Sequence, residues 1–264
     1  MDLKLKGQQA LVTGSTAGIG FAIAQALAAE GAQVTLNGRS SASVDKALQH
    51  LRDVVPGVVC NGIAADAGTA AGCETIVKTK PRVDILVNNL GIFDPKPFED
   101  IPDADWQHFF DTNVMSGVRL SRAYLPAMKQ RNQGRIVFIS SESGICPPAE
   151  MVHYGMTKSA QLSIARGLAE TCAGTAVTVN SVLPGPTLTE GAKAFFDTLA
   201  AQQGVSFEQA AADFFAHGRP TSLLKRFIQP AEVAAMVAYV CSPLSAATNG
   251  AALRVDGGVV RSLM

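Results

Sequence analysis

Tyr154 and Lys158 stand four residues apart in the stretch His153-Tyr154-Gly155-Met156-Thr157-Lys158. On a helix that spacing places a phenol and an ammonium one turn apart on the same face. A free tyrosine titrates near pH ~10, too high for acid–base work at neutral pH. A neighbouring cation favours the phenolate, and a drop of roughly 2–3 units amounts to about 3–4 kcal/mol of differential stabilisation. A close, desolvated ammonium together with a cofactor's charge would supply it. The chemistry is that of a general acid–base acting on an oxygen. The same spacing also suits an ordinary surface pair, so the rest of the chain decides.

A second group precedes it. Ser140-Ser141-Glu142-Ser143-Gly144 follows the apolar run Ile136–Ile139 and leads into the helix of Tyr154. A serine at the C-terminal end of a buried strand can hydrogen-bond a substrate carbonyl, or simply cap a turn. Asn113 interrupts an apolar helical face, and a buried asparagine needs partners. It is either a structural amide or the anchor of a functional water. The four histidines show no ligand spacing, which argues against a metal. His153 reads as a pocket-wall or surface residue.

The remaining candidates fit a dinucleotide. Thr13–Gly20 carries G-x-x-x-G-x-G between a short strand, Ala10-Leu11-Val12, and a helix, Phe21–Ala28. Glycines there let the backbone approach a pyrophosphate, and the helix N-terminus offers N–H groups and a positive dipole end. Gly14, Ser15, Thr16, Gly18, Ile19 and Gly20 are the candidate contacts. The second strand, Gln33–Asn37, ends in Gly38-Arg39, where an acidic residue would bind a ribose 2′-hydroxyl. A guanidinium suits a 2′-phosphate instead, which predicts NADP(H) over NAD(H); the alternative is a solvated loop cation. Asp66 either accepts from the adenine amino group or caps the helix near Thr69. Asn88-Asn89-Leu90-Gly91 ends the fourth strand, and its amides can tie strand ends together and line the crevice; Asn89 and Gly91 are candidate contacts. Pro184-Gly185-Pro186-Thr187-Leu188-Thr189 follows the sixth strand. Its prolines stiffen the turn, and Pro184, Gly185, Thr187 and Thr189 are placed against the nicotinamide.

These residues need a scaffold. Further strands are expected over 58–63, 84–87, 134–139, 176–182 and 251–255. Helices are expected over 43–54, from Asp103 to about Met128, from the Tyr154 stretch to about Cys172, and over 230–241 with Pro230 in the first turn. Strands alternate with helices and no linker or repeat intervenes. This predicts one α/β Rossmann domain over 1–264, a doubly wound parallel sheet of about seven strands with helices on both faces. The segment from Glu190 to Phe227 is rich in phenylalanine. It reads as two core-packed helices or as an apolar lid over a substrate pocket, favouring an apolar substrate over a sugar.

Apolar residues make up 47% of the 264 and charged residues 17%, with 22 basic and 22 acidic side chains. A balanced charge gives no electrostatic grip on nucleic acid or an anionic membrane. Five scattered cysteines without a C-x-x-C pair read as reduced thiols, and no run approaches the ~20 apolar residues of a span. The charged N-terminus does not read as a signal peptide. The setting expected is the cytoplasm.

Assembled, these pieces resemble the short-chain dehydrogenase/reductase family in its single-domain form, over nearly the whole chain. The matching motifs are T-G-x-x-x-G-I-G at Thr13–Gly20, N-N-x-G at Asn88–Gly91, Asn113, Ser141, Y-x-x-x-K at Tyr154–Lys158 and P-G-x-x-x-T at Pro184–Thr189. Ser141 has the family serine's spacing before the tyrosine. Leu90 stands where the family more often has alanine. The resemblance implies that Tyr154 is the general acid in ketone reduction and the base in reverse. It also implies that Lys158 lowers the tyrosine's pKa and holds the nicotinamide ribose, that Ser141 polarises the carbonyl, and that Asn113 holds a water linking Lys158 to solvent. Hydride would come from the cofactor. The expected function is NADP(H)-dependent interconversion of a ketone and a secondary alcohol, of carbonyl reductase or 3-oxoacyl-[acyl-carrier-protein] reductase type, on a small-molecule substrate. An NAD(H)-dependent dehydrogenase of a cyclic or steroid-like alcohol is the alternative. A non-catalytic NADP(H)-binding regulator is the alternative of another class, and the intact Asn113, Ser141, Tyr154 and Lys158 argue against it. A homotetramer is expected by resemblance.

Overall fold

A computed structural model describes residues 1–263. Seven parallel strands alternate with helices. They are β1 (Gln9–Val12), β2 (Gln33–Gly38), β3 (Cys60–Ala64), β4 (Ile85–Asn88), β5 (Gly134–Ile139), β6 (Val177–Pro184) and β7 (Ala252–Val255), in the order β3-β2-β1-β4-β5-β6-β7. The helices are α1 (Gly18–Ala29), α2 (Ser41–Val54), α3 (Ala70–Thr79), α4 (Asp103–Phe109), α5 (Ser116–Arg131), α6 (Val152–Thr171), α7 (Glu190–Gln203), α8 (Phe207–Asp213) and α9 (Pro230–Cys241).

Successive strand side chains point to opposite faces, and the apolar residues divide accordingly. Val12, Val87, Val137 and Ile139 face one layer with Ile23 and Leu27 of α1, Leu51 of α2 and Val237 of α9. Leu11, Leu86, Ile136 and Phe138 face the other, with Ile76 of α3, Leu120 and Met128 of α5 and Ala165 of α6. Both faces are covered, so the central strands β1, β4 and β5 are near-continuous buried runs rather than alternating ones. Each fully buried Leu, Ile or Phe contributes about 1.5–3 kcal/mol.

Two local outcomes depart from the expectations. The helix foreseen from Asp103 is interrupted by a π-helical turn over Phe110–Met115. And Thr69, not Asp66, caps α3: Thr69 Oγ1 accepts from Gly72 N at 3.0 Å, while the Asp66 carboxylate accepts from Gly68 N at 3.0 Å in a local turn.

Between β6 and α9 the chain forms a satellite. α7 and α8 pack on each other around Phe196, Phe215 and Phe227, a third apolar cluster apart from the two sheet layers. Phe214 stacks on Phe227 with ring centres 5.7 Å apart. Among the described residues no helix is long and apolar enough to cross a membrane.

Candidate active site

β1 and β4 are neighbours in the sheet, and the chain leaves their C-terminal ends toward opposite faces. Such a switch point opens a crevice at the strand ends. Asn89 closes its floor. Its Nδ2 donates to the carbonyls of Thr13 and Gly14 at 2.9 and 3.0 Å, and Thr13 Oγ1 accepts from the N–H groups of Asn89 and Leu90, both at 3.0 Å. Gly14 and Gly18 hold φ of 57° and 56°, the left-handed region where glycine carries no penalty. At Gly20 an added Cβ would meet Gly14 O at 2.4 Å and Asn89 Nδ2 at 2.5 Å. The start of α1 is thus drawn hard against the strand ends. Its N-terminus already receives an anion: the Glu190 carboxylate accepts from Gly18 N at 3.0 Å.

The other predicted cofactor contacts fall in two groups. Ile19, Gly20, Asn89, Gly91, Pro184, Gly185, Thr187 and Thr189 line one cavity of about 610 Å³ together with Ser141, Tyr154 and Lys158. Ser15 is instead buried, its hydroxyl donating to Val12 O at 2.7 Å and accepting from Asn37 N at 2.9 Å, so it fastens β1 to β2. Thr16 lies against Gly38, where an added Cβ would come within 2.5 Å of its Cγ2. Arg39 follows Gly38, and both Arg39 and Asp66 are exposed.

β5 delivers the serine loop to the same edge. Ser140 Oγ donates to Lys158 O at 2.8 Å, and Ser159 Oγ donates to Gly144 O at 2.8 Å, which pins the loop to α6. Ser141 Oγ donates to the Glu142 carboxylate and accepts from Ser143 N at 3.1 Å. The Lys158 ammonium lies 5.5 Å from the centre of the Tyr154 ring. It donates to Ile139 O at 3.0 Å and to Gln161 Oε1 at 3.2 Å. Asn113 sits in the π turn, a geometry that shifts the backbone ladder. Its side chain is fully engaged, with Nδ2 on Ile92 O and Thr157 Oγ1, both at 3.0 Å, and Oδ1 accepting from Ile92 N at 2.8 Å.

The electrostatics of the protein alone differ from the expected lowering of the tyrosine. Burial pushes the Tyr154 phenol up, the negative charge of Glu142 adds to this, and Ser141 and Arg219 act in the opposite sense. Burial draws the Lys158 ammonium down to about 8, against the pull of Glu142. A neutral phenol thus faces an ammonium that titrates near physiological pH.

Residues 8–200 match the family model described as short chain dehydrogenase. The chain belongs to the short-chain dehydrogenase/reductase family. It is an oxidoreductase acting on CH–OH or C=O groups. It is 51% identical over its full length to the whole of an uncharacterised oxidoreductase, YvaG, of Bacillus subtilis. It is 32% identical to the 3-oxoacyl-[acyl-carrier-protein] reductase FabG of Vibrio cholerae, over 97% of this chain and 99% of that one. Among solved structures it is similar to L-sorbose reductase from Gluconobacter frateurii complexed with NADPH and L-sorbose, at a TM-score of 0.94 and 30% identity with both chains fully covered.

Three residues of this short-chain dehydrogenase/reductase site were not foreseen. Gln161, buried on α6, joins Lys158 to the π turn: its Oε1 accepts from Lys158 Nζ and its Nε2 donates to Asn113 O at 2.7 Å. Glu142 and Arg219 form an ion pair at the cavity wall, Nε to Oε1 3.5 Å. Glu142 stands next to a chosen residue, but an acidic residue in a serine-rich loop gives no sign of being buried. Arg219 arrives from beyond α8 and carries no sequence signal at all.

Proposed function

We propose that the protein is an NADP(H)-dependent reductase that interconverts a ketone and a secondary alcohol. One observation carries the reading: a single cavity joins the glycine turn at the start of α1 to Ser141, Tyr154 and Lys158. The residues suit a dinucleotide. The α1 N-terminus accepts an anion from Glu190, the role a pyrophosphate would take. At Gly91 an added Cβ would stand 3.3 Å from Lys158 Nζ, so glycine keeps the ammonium reachable from the crevice. Ile19, Gly20, Asn89 and Gly91 would hold the dinucleotide, the Pro184–Thr189 turn its nicotinamide end, and Arg39 a 2′-phosphate. Bound there, the cofactor supplies hydride.

The chain's own residues do the rest. Tyr154 gives its proton to the carbonyl oxygen as that oxygen gains charge. A phenol held neutral by burial suits this direction. Ser141 steadies the same oxygen once its proton is released from Glu142. Lys158, fixed by Ile139 and Gln161, offers a cation beneath the phenol and toward the ribose. Gln161 ties Lys158 to the π turn of Asn113 and orients the ammonium, and a water anchored at that turn would return the proton from solvent. α7 and α8 form the lid, whose rings make the apolar wall of the pocket. The five free cysteines support a reducing, cytoplasmic setting, and a homotetramer follows from the family resemblance.

The reading is tested by following NADPH and NADH oxidation against a panel of ketones. Turnover with a preference for NADPH is expected, and Arg39→Asp is expected to move that preference toward NADH. Absence of turnover with every ketone overturns the reading; an unchanged ratio removes Arg39 as the phosphate contact.

A further inference from the structure

The Ser141 hydroxyl has one proton to give, and it lies on Glu142. While it does so it cannot steady a substrate oxygen. Glu142 is 5% exposed, and its other oxygen faces Arg219 Nε at 3.5 Å. Arg219 in turn places Nη1 3.1 Å from Glu150 Oε1 and lies over the Phe214 ring, 5.5 Å from its centre. Glu142, Glu150 and Arg219 all line the cavity that holds Tyr154. Two carboxylates against one guanidinium make this wall an acceptor surface with net negative charge.

A buried carboxylate requires donors, and a plain ketone brings none. A ketone bearing a hydroxyl on the adjacent carbon brings one. The carbonyl oxygen sits one hydrogen bond from Ser141 Oγ, and Glu142 one further, each about 2.7 Å. The acceptor therefore stands within about 5 Å of the carbonyl oxygen, in reach of that hydroxyl. We propose that Glu142 selects α-hydroxy ketones: the substrate hydroxyl replaces Ser141 as donor to Glu142, and the released Ser141 proton turns to the substrate carbonyl. The inference rests on the reductase reading above and assigns its substrate class. Arg219 positions Glu142 and is itself occupied, so a substrate carboxylate meets a filled cation and two repelling charges. Selection falls on kcat as well as KM, because the hydroxyl enables a contact that strengthens in the transition state.

The test compares butanone, 1-hydroxybutan-2-one and 1-methoxybutan-2-one with NADPH. The methoxy compound keeps the inductive pull and lacks the donor. The wild-type enzyme is expected to favour the hydroxy ketone over both by about tenfold or more in kcat/KM, the scale on which sites built for a hydroxyl reject its absence. Acetoacetate is expected to be slower than the hydroxy ketone. Glu142→Leu is expected to bring the hydroxy/methoxy ratio near unity, with NADPH binding by fluorescence confirming that the variant is folded. Turnover with a wild-type ratio below that tenfold, or a ratio unmoved in the folded variant, overturns this inference and leaves the reductase standing. No NADPH oxidation with any of the four compounds overturns both.

Discussion

Tyr154 and Lys158 are shifted in ways that fit reduction better than oxidation. Burial keeps the phenol protonated, which an acid requires, and draws the ammonium to about 8. A lysine is charged below its pKa, so the cation beneath the phenol is present at pH 7 and lost as pH rises through about 8. The reductive kcat/KM is therefore expected to be level near neutrality and to fall above that value; a profile flat to pH 10 would count against Lys158 as the group required in charged form. Tyr154→Phe would remove the proposed proton donor, with an expected loss of about 10²–10⁴ in rate, and NADPH titration is expected to show cofactor binding retained. Ser141, Tyr154 and Lys158 were legible because their spacing is local, set by one loop and one helix turn. Gln161 and Glu142 were not, because their meaning lies in partners 48 and 77 positions distant, Asn113 and Arg219.

At the scale of elements, the central strands β1, β4 and β5 were readable as runs of buried apolar residues, and α9 was readable from Pro230 to Cys241. The π turn was not. It adds a residue to one turn without altering composition, and Phe109, Phe110 and Val114 keep a helical apolar rhythm through it. Glycines show the same division. Gly20 is required by space, since an added Cβ would meet Gly14 O at 2.4 Å, whereas one at Gly167 in α6 meets nothing within 4 Å. Gly20→Ala is expected to destabilise by about 1–3 kcal/mol as an overpacked contact. Gly167→Ala is expected to stabilise by about 0.5–1 kcal/mol as a helix-interior glycine replaced. Urea denaturation midpoints check both, and equal shifts would show that the α1 start can relax.

Across the whole molecule, β/α alternation was enough to give a doubly wound sheet with one crevice at its centre. It was not enough to show how the segment after β6 relates to that crevice. The phenylalanines there build a cluster of their own, and Glu190, the first residue of α7, reaches back 172 positions to Gly18 N. One amide cannot serve two anions in full. If the proposed site holds a dinucleotide, the Glu190 carboxylate would compete with its pyrophosphate for this N–H group. Removing its charge in Glu190→Gln is expected to tighten NADPH by about two- to fivefold at low salt, the scale of one charge at a helix end, with the difference shrinking as salt rises. Displacement kinetics should show slower NADP⁺ escape in the variant; an unaltered off-rate would mean the contact is incidental. On the proposed reading the chain would carry a tethered counterfeit of its own cofactor, and turnover would end with the nucleotide pushed out rather than merely let go.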